Sequence, residues 1–169
     1  MTLNIDISNP SGDWSMVEDA GIRSAACAAW SAASDDDEEG EVSIVLADDA
    51  FIQDLNARFR AKNAPTNVLS FPLLDFENGF SGRNPGEARH LGDIVLALTT
   101  IAREAEAQDK TLSDHVRHLV VHGFLHLLGW DHEAEPAAIE MEALEVEILA
   151  GLDIANPYEA AAKPYEAVV

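Results

Sequence analysis

Cysteine is almost absent: Cys27 is the single one among 169 residues, so no disulfide can form within the chain. One thiol fits a reducing compartment without demanding it. In the context AACAAW, Cys27 is expected as a small core residue rather than a reactive one. Long apolar runs are also missing. No stretch reaches the roughly 18 apolar residues of a membrane span, and the opening MTLNIDISNPSGDW has no basic segment followed by an apolar one. The expectation is a cytoplasmic protein with no membrane partner. Positive charge is scarce, with 10 Lys and Arg against 31 Asp and Glu and a net charge of −21. Taken whole, that balance opposes a nucleic-acid partner, because repulsion from phosphate is the first term such binding must overcome.

The distribution of charge changes that reading. Residues 1–57 hold thirteen acids and one base, residues 118–169 hold ten acids and one base, and residues 58–117 balance at eight of each. An anion-binding surface must therefore come mainly from the middle, where Arg58, Arg60 and Lys62 lie close together; the alternative is a solvated face carrying three cations. The five successive acids from Asp35 to Glu39 repel one another and suit an exposed loop.

Hydrophobic residues make up 47% of the chain and charged ones 24%, the composition of an ordinary globular protein able to bury a core. Without internal repeats or a long linker, a single domain is expected over residues 1–156, followed by an irregular tail at 157–169. LNIDIS and EVSIVLAD alternate or cluster as strands, and VLSFPLL and LGDIVLALTT supply two more. Helices are expected from about Trp14 to Ala33 with Asp13 or Ser11 as cap, over DDAFIQDLNARFR with Asp48 or Asp49 as cap, and over IAREAEAQDK. Two further helices are expected over TLSDHVRHLVVHGFLHLLG, ended by Gly129, and EPAAIEMEALEVEILAGL, with Pro136 in its first turn and Gly151 near its end. Residues 75–89, rich in Gly, Pro, Asn and charge, read as a surface loop. The order implies an α+β fold, a small mixed sheet of about four strands packed with about five helices.

On a helix advancing 100° per residue, His115, His118, His122 and His126 fall within about 80° of arc. Apolar residues occupy most other directions, so this helix is expected to be buried nearly all round. A lone core histidine most simply bonds to a backbone carbonyl, but His122 and His126 are an i, i+4 pair on one face and can grip one cation. Gly129 then lets the chain turn so that His132 can arrive as a third ligand. Three imidazoles suit zinc or another divalent transition metal and leave a fourth position open, as catalytic sites do. The spacing H-x-x-x-H-x-x-G-x-x-H is shared with metzincin metallopeptidases, but those need Glu directly after the first His as general base. Here that position is Gly123, which cannot accept a proton.

HGFLHLLGWDH, RFRAKNAPTNVLSFP and LGDIVLAL together, from about Asn56 to His132, resemble the recurring segments of the YbeY-type endoribonucleases, bacterial factors of ribosomal RNA maturation. Trp130 stands where that family more often has Tyr, and the acidic N-terminal part matches less closely. The resemblance implies zinc held by His122, His126 and His132, with His122 and Arg60 in the catalytic machinery; the charge distribution adds Arg58 and Lys62 to Arg60 as candidate contacts to the RNA. It implies a metal-dependent endoribonuclease acting on single-stranded RNA, notably at the 3′ end of the small-subunit (16S) rRNA, with the ribosomal small subunit or its proteins as partners. Asn67, Ser70, Asp93 and His118 are candidate supporting groups, Asp93 being as well suited to a structural hydrogen bond as to catalysis, and Thr66 and Asn67 to a turn after Pro65. The alternatives are a metzincin-like metallopeptidase and a non-catalytic zinc protein that binds ribosomal partners.

Overall fold

A computed structural model describes residues 2–34, 39–73, 89–130 and 135–159. Among them, β1 (Thr2–Ser8), β2 (Glu39–Ala47), β3 (Val68–Pro72) and β4 (Arg89–Ala97) form one mixed sheet in the order β1-β2-β4-β3. β1, β2 and β4 run parallel, and β3 lies antiparallel to β4 at the edge. With α1 (Asp19–Ala33), α2 (Asp49–Arg60), α3 (Leu98–Ala107), α4 (Leu112–Leu127) and α5 (Glu135–Ala150), this is the α+β architecture that the sequence implied.

Strand alternation divides the apolar residues between two faces. Val42, Ile44 and Leu46 of β2 join Ile94 and Leu96 of β4 in the main core, beneath α1 and α4. Val95, Ala47 and Ala97 turn the other way, onto Ile52 of α2. A bulge interrupts this regularity: Glu41 pairs with His90 and Val42 with Gly92, so that Leu91 is the extra residue and enters the main core fully buried. Gly92 has φ +134°, and a Cβ there would lie 2.1 Å from the Phe71 carbonyl oxygen, so the bulge requires glycine.

Local signals decide the helix ends. Asp48 caps α2 by accepting from Phe51 N at 2.9 Å, and Thr111 caps α4 by accepting from Asp114 N at 3.1 Å. α4 stops as expected at Gly129 (φ +95°), where Trp130 N reaches Leu125 O at 3.0 Å and Gly129 N reaches His126 O at 3.1 Å. α5 ends at Ala150, directly before Gly151 as expected, but by another geometry. The left-handed residue is Asp153 (φ +61°) rather than Gly151, with Ile154 N on Leu149 O at 2.9 Å.

Three expectations need correction. α1 starts at Asp19, not near Trp14, because the Trp14 indole donates to Ala47 O (3.1 Å) and holds residues 14–17 in a turn; Asp13 accepts from Ser15 N instead of capping the helix. Ser11 accepts from Asp48 N and is likewise no cap of α1. β4 stops at Ala97, since Thr100 gives both its N–H and its hydroxyl to the Asp49 carboxylate, which draws Leu98–Thr100 into the first turn of α3. Cys27 is exposed, because Ile22, Ala25, Ala26, Ala29 and Trp30 form the buried stripe of α1 and residue 27 falls outside it. Residues 35–38 of the acidic run and 75–88 of the expected loop lie outside the described residues, while Glu39 and Arg89 open β2 and β4.

Candidate metal centre

α4 is buried nearly all round, and its histidine stripe is met by acids from the two helices that flank it. His115, fully buried, places Nε2 2.9 Å from Glu104 of α3. The same carboxylate accepts from Asn67 Nδ2 at 3.0 Å. One and two turns on, His118 Nε2 and His122 Nδ1 lie 3.2 Å and 2.6 Å from the two oxygens of Glu145, which α5 carries into the core with no exposure. Tyr158, from the segment expected to be an irregular tail, donates its hydroxyl to the same Glu145 and sets its ring edge-on to His118.

The Glu145 contact determines which His122 nitrogen faces outward. A carboxylate accepts, so His122 Nδ1 carries the proton and Nε2 presents a lone pair. That Nε2 stands 3.1 Å from Nε2 of His126, which is only partly buried and closes the outer end of the row. Two imidazole nitrogens bound to one zinc at ~2.0–2.1 Å stand about 3.3 Å apart, so the pair has the separation that a shared ion requires. His132, the third expected ligand, lies outside the described residues, and among the described residues no group of three or more His, Cys, Asp or Glu is placed to hold a metal ion.

Electrostatics fit a structural carboxylate. Burial alone would raise the Glu145 pKa; hydrogen bonds from His118 and His122, and attraction to both rings, overcome it and hold the pKa at about 2. Burial lowers the His118 pKa from its usual 6.5, against the pull of Glu145. Both folded-state values lie below the unfolded ones, so both groups stabilise the fold at neutral pH and lose that contribution in acid. The loss from His118 begins below pH 6.5, and that from Glu145 begins below about 4.5 and is complete near 2. Relaxed repulsion on a chain of charge −21 opposes this trend, so the measurement is a difference. The gap in melting temperature between wild type and Glu145→Gln is expected to shrink from pH 7 to pH 3, and a gap independent of pH would contradict the pairing.

The other candidate residues occupy the sheet edge and the far face. Arg60, at the end of α2, donates from Nη2 to Ser70 O of edge strand β3 at 2.6 Å, and Ser70 Oγ donates to Gly123 O of α4 at 2.9 Å. Two hydrogen bonds thus link Arg60 to the backbone beside His122. Among the described residues no carboxylate pairs with Arg60, whereas Arg58 pairs with Asp54 at 3.1 Å on the surface. Ala61 in the left-handed region (φ +57°), with Asn56 Nδ2 on Ala64 O at 2.9 Å, turns the chain so that Lys62 stands exposed past the helix. Asp93 is not at the histidines. It pairs across the sheet with Ser43 and Phe71, and with Asp6 and Ser43 it lines a groove of about 250 Å³ on the face away from α4. Asn67 braces the start of β3 by accepting from Val68 N at 2.7 Å.

Glu145 and Tyr158 were not singled out from the sequence. A signal for Glu145 existed: Met141, Glu145, Ile148 and Leu149 recur at helical spacing and are all buried, so one acid interrupts an apolar stripe. No comparable pattern marks Tyr158.

Comparison with known proteins matches the chain to one family. The family model described as "Endoribonuclease YbeY" matches residues 13–153. An endoribonuclease YbeY of Parvibaculum lavamentivorans is 48% identical over 164 residues, covering 94% of this chain and 86% of that protein. One from Paramagnetospirillum magneticum is 48% identical over 161 residues, covering 94% and 97%. The solution structure of TM1509 from Thermotoga maritima aligns over 96% of this chain and 99% of that one, with TM-score 0.54 and 21% identity, a likeness of fold. The chain belongs to the endoribonuclease YbeY family.

Proposed function

We propose that this protein is a metal-dependent endoribonuclease of the cytoplasm that cuts single-stranded RNA in ribosomal RNA maturation, including the 3′ end of the small-subunit RNA, and in ribosome quality control. The observation that carries the reading is the convergence of His122 and His126 Nε2 at 3.1 Å on a helix to which Arg60 is tied through Ser70. In this reading His122, His126 and His132 hold one zinc ion, or another divalent transition metal, and the ribosomal small subunit is the partner. When bound, such an ion polarises a phosphate oxygen and lowers the pKa of water. The protein's own groups supply position. Glu145 keeps the proton on His122 Nδ1, Tyr158 and His118 hold Glu145 in place, and Arg60 offers its remaining N–H groups to a phosphate at the sheet edge.

The peptidase alternative finds no support at position 123. A Cβ on Gly123 would meet Ser70 Oγ at 3.0 Å, Ile94 Cγ2 at 3.1 Å and Val68 Cγ2 at 3.2 Å, so this position faces the sheet and has no room for a general base.

Arg60 tests the reading. Arg60→Ala should keep metal and fold yet lose most cleavage of single-stranded RNA, about tenfold or more, as expected for a charge-assisted phosphate contact. Arg60→Lys should recover only part, because an ammonium cannot reproduce the bidentate fork. Rates at matched metal occupancy decide: Arg60→Ala within twofold of wild type refutes the role. Inertness of the metal-loaded wild type toward RNA would instead favour a non-catalytic zinc protein.

A further inference from the structure

The end of α2 carries an arrangement that the metal centre does not use. Phe59 is 61% exposed, although a phenylalanine on a helix beside an apolar cluster gains by turning inward. It is not a loosely held side chain. Its ring meets Phe71 edge-to-face, with centroids 5.7 Å apart at 71°, and Phe71 packs onto the cluster beneath α2. The guanidinium of Arg58 lies 5.4 Å from the Phe59 ring centre, and that of Arg60 lies 5.4 Å from the Phe71 ring centre. Two braced aromatic rings therefore stand together between two guanidiniums on one surface, and Lys62 is exposed two residues past Arg60.

The charge around the ring selects its occupant. In a chain of net charge −21, this exposed ring touches Arg58, which is paired with Asp54, while Arg60 lies on the adjoining Phe71 ring and Lys62 is exposed close by in sequence. An apolar protein surface would have to strip water from Arg60 and from the Arg58–Asp54 pair without compensating them, whereas a nucleic-acid strand brings a flat apolar face and an anion in every nucleotide. We infer that Phe59 is a stacking platform for an unpaired RNA base whose adjoining phosphate is held by Arg60. This rests on the proposed function and deepens it, because it gives single-strand selectivity a physical cause. A base within a duplex has both faces covered by its neighbours, while an unpaired base can leave the stack and lie on the ring. Since every base has a π-face, the contact discriminates paired from unpaired RNA without reading base edges. Arg60 is bound to β3 at the sheet edge and packs on the same Phe71 as Phe59, so the two contacts fall within reach of one strand.

Fluorescence anisotropy with a labelled, unstructured oligoribonucleotide and a perfect RNA duplex tests the platform on the intact protein. Phe59→Ala and Phe59→Leu are each expected to weaken single-strand binding about tenfold, the loss of one base stack, with duplex binding unchanged; Phe59→Trp should restore it. The dependence of binding on salt should keep its slope in the Phe59 variants and become shallower by roughly one ion in Arg60→Ala. If wild type binds the single strand and Phe59→Ala stays within twofold, the platform is refuted while the functional reading stands. Recovery by Phe59→Leu also refutes it, since that outcome means an apolar contact, as with a protein partner. If wild type fails to bind single-stranded RNA at all, the functional reading falls and the platform falls with it.

Discussion

His126→Ala is expected to strip the protein of its metal and to lower RNA cleavage by about a hundredfold or more. Loss of a partner that only orients a metal-bound histidine already costs ~10–100-fold in metal affinity or activity, and His126 would be a direct ligand. The fold should survive. His126 is only partly buried, in contrast to His115, His118 and His122, and it contacts the outward-facing Nε2 of His122. Melting temperature should fall only by the stabilisation that bound metal supplies, which disappears in chelator, so wild type and variant should converge there. Elemental analysis with melting curves in zinc and in chelator checks this, beside cleavage rates. Wild-type metal content in His126→Ala would remove the residue from the ligand set.

Gly123→Glu should strongly destabilise the fold rather than convert the protein into a peptidase. The H-x-x-x-H spacing makes the substitution look like the restoration of a missing catalytic base. In the fold, a Cβ at 123 is already squeezed between Ser70, Ile94 and Val68 at 3.0–3.2 Å, and the rest of a glutamate would have to displace β3 or bury an unpaired carboxylate. Burying that carboxylate without a partner destabilises by about 3 kcal/mol or more. Gly123→Ala is the milder comparison, its overpacking of ~1–3 kcal/mol partly offset by about 1 kcal/mol of helix propensity. Denaturant midpoints for the two variants should rank Glu well below Ala and Ala at or below wild type. A folded Gly123→Glu that hydrolyses unfolded polypeptide would overturn this account of the position.

The signals legible in the sequence were local ones. The cap at Asp48, the stop at Gly129 and the alternation of β2 each depend on residues within a turn or two of one another. The His122 and His126 pair was legible for the same reason, since four residues on a helix bring two side chains to one face whatever surrounds them. The failed element boundaries turned on distant partners, whereas the exposure of Cys27 follows from the helical spacing of α1 alone. Trp14 sits at helical spacing with Val17, yet its indole is bound to the end of β2, and Leu98–Thr100 look like strand until Asp49 claims Thr100.

By itself, then, the sequence determined the order of elements, the histidine face and the placing of its few cations near Arg60, because periodicity and capping act along the chain. Only the tertiary structure decided that Glu145 holds His122 by Nδ1, that Asp93 faces away from α4, that Gly123 is glycine because β3 and β4 press against it, and that Phe59 stands out among arginines. Each of these depends on which faces of separate elements meet, and that is set by packing a whole core at once rather than by any one segment's pattern.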